Sequence, residues 1–195
     1  MLAVEDPDPN LEPVIFEDRM SDSDALMWSI EKDPMLRSTI TTAVVLERPV
    51  DPERLRRTLE RASRIIPRLR QRVRSNPLSI APPRWETDPN FDLRYHLRTA
   101  RAPGEGSMGD LLAMAGPMAM QGFDRARPLW EATVVEGLSG GRTALVLKIH
   151  HAITDGIGGV RLMLELFDLA SDAPERPMPN APSVHVMNQT ERFID

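Results

Sequence analysis

Along the chain, short apolar runs rich in β-branched residues alternate with stretches whose apolar positions recur every third or fourth residue. Ser21 or Ser23 caps a short helix carrying Ala25, Leu26, Met27 and Trp28, which stops at Asp33-Pro34. Thr39–Leu46 predicts a strand. Asp51-Pro52-Glu53 opens a second helix, with an N-cap and a proline in the first turn. Leu55, Leu59, Ala62 and Ile66 hold one face of it, and Arg54, Arg56, Arg57, Arg61 and Arg64 cover the rest until Pro67 stops it. Glutamates within reach make that arginine surface a solvated face in preference to an anion site. Residues 69–73 and 85–87 read as two short strands around a proline-rich turn at 76–83. Residues 91–97 predict another strand, in which His96 is a structural or surface histidine. Ser107 and Asp110 set a capping box for a helix through Leu111, Leu112, Met114 and Ala115, which Pro117 should kink or end. Met108, Met114, Met118 and Met120 fit ordinary core packing better than the lining of a lipid channel.

The last third holds the chemistry. Residues 128–135 predict a strand, and Gly137-Leu138-Ser139-Gly140-Gly141 a tight turn into a second strand at 142–149. That turn spells G-x-S-x-G, but a nucleophile elbow needs strand, turn, then helix, and here a strand follows. Ser139 is therefore a hairpin residue. Period-two alternation puts Leu145, Leu147, Ile149 and His151 on one face of the strand, and Ala144, Val146, Lys148 and His150 on the other. The two histidines should not share one surface. Asp155 to Gly159 then leads into a helix expected to turn Val160, Met163, Leu164 and Phe167 inward. The segment 171–183 is proline-rich and reads as a surface linker.

Composition narrows the function. A formal net charge of −5 and a pI near 5.5 argue against a nucleic-acid partner, because phosphate binding wants a basic field. With no cysteine there are no disulfides, thiolate metal sites or cysteine-borne acyl-enzyme, and a reducing cytoplasm fits. No apolar stretch is long enough to span a membrane, and the acidic first ten residues lack the regions of a signal peptide. A metal site is a weak reading, since the paired histidines point apart and no third ligand stands out.

His150-His151-Ala152-Ile153-Thr154-Asp155-Gly156 has the HHxxxDG form of the CoA-dependent acyltransferase superfamily. Together with the segment from Met20 to Trp28, with Pro128-Leu129-Trp130 and with the helix after Gly159, it makes the chain resemble the N-terminal half of bacterial wax ester synthase/diacylglycerol acyltransferases. The likeness implies an α/β fold, a chloramphenicol acetyltransferase-like half-domain with a mixed sheet flanked by helices. It implies three parts: an acidic, proline-rich arm at 1–19, the acyltransferase-like domain at 20–170, and a linker at 171–195 toward a C-terminal half.

The implied reaction is transfer of a fatty acyl group from acyl-CoA, a substrate with no cofactor beside it, to a long-chain alcohol or diacylglycerol. Neutral imidazole suits removal of the hydroxyl proton, because its ordinary pKa of about 6.5 lies near the working pH. His151 is the expected general base, His150 a supporting residue, and Asp155 a structural residue that fixes the turn, in the family often through an arginine. Gly156, Gly158 and Gly159 allow close backbone approach or positive φ, and amides at the start of that helix are able to hold an anion. Pro128, Leu129 and Trp130 match a segment expected to line or support the pocket. The expected partners are acyl-CoA, its acceptor and a C-terminal half of the enzyme, in the cytoplasm or peripherally at the inner membrane or lipid droplets. Two other readings stand beside this one: a condensation-type enzyme using another thioester donor, and a catalytically silent half serving as an assembly module. Without any family pattern, the same residues read as a strand end hydrogen-bonded to a turn, with Asp155 capping the next helix.

Overall fold

The computed structural model describes residues 18–75, 81–154, 156–168 and 173–182. Most of the N-terminal arm, and Asp155, lie outside them.

Helix α1 (Asp22–Ile30) begins where Ser21 Oγ accepts the Asp24 amide, and strand β1 (Thr39–Leu46) follows a single 3-10 turn. Helix α2 (Pro52–Ile65) starts at Asp51, whose carboxylate accepts the Glu53 amide at 3.0 Å. Such a cap typically contributes about 1 kcal/mol. Strands β2 (Gln71–Arg74) and β3 (Arg84–Thr87) pair antiparallel as a separate ribbon, and Asp18 and Met20 already bond its edge. A one-turn helix α3 (Leu93–His96) leads into β4 (Leu97–Arg101), then come α4 (Met108–Met120), β5 (Trp130–Leu138), β6 (Arg142–His150) and α5 (Gly156–Leu166).

The main sheet runs β1-β6-β5-β4. β5 and β6 form an antiparallel hairpin whose turn needs positive φ at Gly137, Gly140 and Gly141. Ser139 sits in that turn, as expected of a hairpin residue. β1 adds antiparallel to β6, while β4 adds parallel to β5, so the sheet is mixed. A parallel neighbour needs a crossover, and α4 supplies it. Both faces of the sheet are covered, which is why β6 reads as a nearly continuous apolar run. Leu145, Leu147 and Ile149 pack with Trp130, Ala132 and Val134 against α2 and α5. Ala144, Val146 and Val135 pack against Leu111 and Ala115 of α4.

Four expectations are corrected. Residues 91–97 are not a strand: Asp92 caps the turn of α3 by accepting the Arg94 amide, and extended backbone begins only at Leu97. Among the described side chains of α5 and the residue after it, Leu162 and Leu166 are buried and Met163 and Phe167 half-buried, whereas Val160 and Leu164 are 61% and 51% exposed. The arginine face of α2 is not simply solvated. Arg54 and Arg61 pair with Asp168 and Glu165 beside α5, and Arg57 pairs with Glu175. Arg64 donates to the Pro179 carbonyl, and residues 173–182 form an irregular surface strap tied to α2. Finally, α4 runs through Pro117 to Met120, so of the two effects expected of the proline, ending the helix there is not what happens. Pro117 and Ala113 are exposed, so the carbonyl that loses its partner meets water.

Candidate active site

The site forms where β6 ends. His150, its last residue, donates its backbone amide to Leu129 O at 3.0 Å, and its side chain then turns back on the chain. Its Nδ1 accepts the Ala152 amide at 3.0 Å, which caps a 3-10 turn spanning His151–Ile153. The His151 amide donates to Ser38 O at 2.8 Å, beside the start of β1, and His151 O accepts the Thr154 amide. Ala152, Ile153 and Thr154 are buried, and His151 alone in this turn is exposed.

This corrects the strand-face assignment. His151 does not share a face with Leu145, Leu147 and Ile149, because the strand stops one residue earlier and the turn swings His151 outward. The expected separation of the two histidines holds for this other reason.

His150 is 1% exposed. Trp28 meets it edge-on at 5.7 Å and Phe123 at 6.2 Å. Its Nε2 lies 2.7 Å from Glu31 Oε1, at an angle too far from the ring N–H direction for a straight hydrogen bond. Glu31 Oε1 also accepts the Ser38 amide at 2.8 Å, and Arg125 stands 3.6 Å from its other oxygen while stacking over Trp28 at 4.0 Å. A cavity of about 250 Å³ opens beside this cluster, lined among others by Trp28, Glu31, Arg37, Phe123, Leu129 and His150.

One step back along β6, on the same face as His150, Lys148 is buried with Nζ 3.7 Å from Glu131 and 4.3 Å over the Phe123 ring. Burial pushes its pKa below the usual lysine value, and Glu131 opposes that shift. Sequence reading did not single out Lys148, Glu131 or Glu31. The directly opposed pair Glu131↔Lys148 is a strand-register fact, and no local periodicity reports it.

Leu129 and Trp130 are fully buried. Trp130 donates its indole N–H to Leu69 O at 2.8 Å and stacks on His96 at 4.6 Å, so it supports the wall of the site, while Leu129 reaches the cavity. His96 is the structural histidine expected: it is packed between Phe91 and Trp130 and donates from Nδ1 to Trp130 O. Gly156 opens α5, and Gly158 and Gly159 lie inside it without positive φ. A Cβ at Gly159 would meet Thr154 Oγ1 at 3.8 Å, an ordinary contact, so backbone strain does not require glycine there. Among the described residues no group of three or more His, Asp or Glu is placed to hold a metal.

A mixed sheet flanked by helices, with a histidine turn at the end of its central hairpin, defines the chloramphenicol acetyltransferase-like class of half-domain. Solved structures agree on that fold. The wax ester synthase/diacylglycerol acyltransferase from Marinobacter aquaeolei VT8 superposes with a TM-score of 0.66 at 24% identity, covering 83% of this chain and 41% of that one. The first condensation domain of the CDA synthetase superposes with a TM-score of 0.60 at 18% identity, covering 76% and 38%.

The chain belongs to the wax ester synthase/diacylglycerol acyltransferase family, whose catalytic-domain model matches residues 20–193. A putative diacylglycerol O-acyltransferase of Mycobacterium tuberculosis is 40% identical over 167 residues, which is 86% of this chain and 34% of that protein. A probable diacylglycerol O-acyltransferase of the same organism is 34% identical over 164 residues, 82% of this chain and 59% of that protein. The chain thus spans about a third of the length of the first of these relatives.

Proposed function

We propose that this chain carries the base-bearing part of an acyl-CoA-dependent O-acyltransferase that moves a fatty acyl group onto a long-chain alcohol or a diacylglycerol. The observation that carries the reading is the exposed His151 on an otherwise buried turn, in a chain of this family. In this scheme His151 takes the proton of the acceptor hydroxyl as its oxygen attacks the thioester carbonyl. The carbon–sulfur bond then breaks, and CoA leaves as the thiol with that proton. A base so placed typically contributes about 10²–10⁴-fold. The scheme uses no acyl-enzyme, in keeping with a chain that has no cysteine and holds Ser139 in a hairpin turn.

His150 supports the turn, and Asp155, outside the described residues, is assigned an orienting role. Pro128, Leu129 and Trp130 back the site, and Gly156, Gly158 and Gly159 offer close backbone approach to substrate. A second half of the enzyme supplies the facing wall. The setting is cytoplasmic, with peripheral membrane or lipid-droplet contact. Among the described residues no helix is long and apolar enough to cross a membrane.

The test follows CoA thiol release from palmitoyl-CoA with hexadecanol or diacylglycerol as acceptor, using the chain alone and combined with the C-terminal half. Turnover in the combination supports the proposal. A folded pair that releases no thiol overturns it and leaves another donor or a silent module.

A further inference from the structure

Glu31 occupies an unfavourable place for a carboxylate. It is the C-cap of α1, where the helix dipole is negative, and its side chain is only 7% exposed. Three groups compensate it: the Ser38 amide, the His150 ring and the Arg125 guanidinium. Two of these lead directly to the exposed histidine. Ser38 donates its amide to Glu31 and accepts the His151 amide on its carbonyl. His150 holds the next amide, that of Ala152, through Nδ1. Because Nδ1 accepts, the proton of the neutral ring belongs to Nε2, the nitrogen that faces Glu31. One carboxylate therefore bears on the backbone that carries His151 twice, by a hydrogen bond through Ser38 and by close electrostatic contact with the His150 ring.

We propose that Glu31 is a positioning residue, which acts through His150 and Ser38 to fix where the His151 imidazole stands. The proposal rests on His151 being the base, but the clamp can be read without catalysis. Glu31 touches the histidine turn from α1, so its removal loosens that turn while β6 stays paired on both sides. Glutamine at this position keeps an oxygen for the Ser38 amide, so it restores much of the clamp.

Native-state amide hydrogen exchange on the chain tests this with Glu31→Ala and Glu31→Gln. The expected result is that Glu31→Ala speeds exchange at His151 and Ala152 by about tenfold or more, the loss of a charge-assisted bond, while Leu147 in the sheet is unchanged. Glu31→Gln should return most of that protection. In the active assembly, Glu31→Ala should lower kcat by up to about 10²-fold with KM little changed, as expected for a misplaced base. Unchanged exchange at His151 would overturn the proposal. Equal acceleration at every amide would also overturn it, because Glu31 would then stabilise the whole fold. Selective loosening of the turn in an assembly whose rate ignores His151 would instead sink the assignment of the base and leave the clamp standing.

Discussion

His150 accepts the Ala152 amide on its own Nδ1, and that bond ends the central strand. The side chain of the last strand residue takes up a donor that would otherwise continue the extended run. The chain then coils into a 3-10 turn, and two adjacent histidines receive opposite environments.

Replacing His150 by alanine leaves the buried Ala152 amide without its acceptor and removes the ring packed between Glu31, Trp28 and Phe123. We expect His150→Ala to cost about 2–5 kcal/mol in urea denaturation. The exposed His151 should tolerate alanine within about 0.5 kcal/mol.

Trp130 joins the sheet to the β2–β3 side of the molecule through its indole bond to Leu69 O. Phenylalanine keeps an aromatic ring but loses the indole's second ring and leaves that buried carbonyl unpaired. Trp130→Phe should cost about 1–3 kcal/mol, measured as a shift of the urea midpoint with an unchanged slope.

Burial holds the His96 pKa below its ordinary value of 6.5, with the bond to Trp130 O and the charges of Glu131 and Asp88 pulling the other way and Arg127 adding to the depression. Between the folded value and 6.5 the unfolded chain binds the proton more readily than the folded one. Stability should therefore fall as pH drops from about 6.5 and level off below the folded pKa. His96→Phe should remove that part of the acid-side slope in urea titrations at a series of pH values. The carboxylates of Asp92, Asp110 and Asp168, all held low, lose their contribution only at more acidic pH.

Leu162 and Leu164 of α5 separate its faces. Leu162 is 3% exposed, so Leu162→Ala should cost about 2–5 kcal/mol. Leu164 lies outside, and Leu164→Ala should stay within about 0.5 kcal/mol by thermal denaturation. Equal costs would mean that the helix is rotated.

Much of this architecture is legible where the signal is local. The bounds of β1, the Asp51 cap and the Ser107–Asp110 capping box all follow from residues within one turn of each other. The α5 face was not legible, because Val160 with Leu164 and Leu162 with Leu166 make two apolar rows of the same period. Only packing against α2 chooses between them. The glutamate partners of Arg56 and Arg64 on α2 are local and legible, whereas those of Arg54, Arg57 and Arg61 come from the α5 side and the strap, far along the chain. The place of His151 is hidden for a similar reason: alternation puts it on the face of Leu145, Leu147 and Ile149, and a side-chain-to-backbone bond coils the chain after His150 instead. Glu31 carries no local pattern at all, so its place beside His150 appears only in three dimensions.

The most direct test of this account compares turnover by His151→Ala with wild type in the active assembly, with thermal stability measured on the same samples. A fall in kcat of about 10²–10⁴-fold at unchanged melting temperature is the predicted result. Retained turnover in His151→Ala would contradict it, since the exposed histidine would then not be the base.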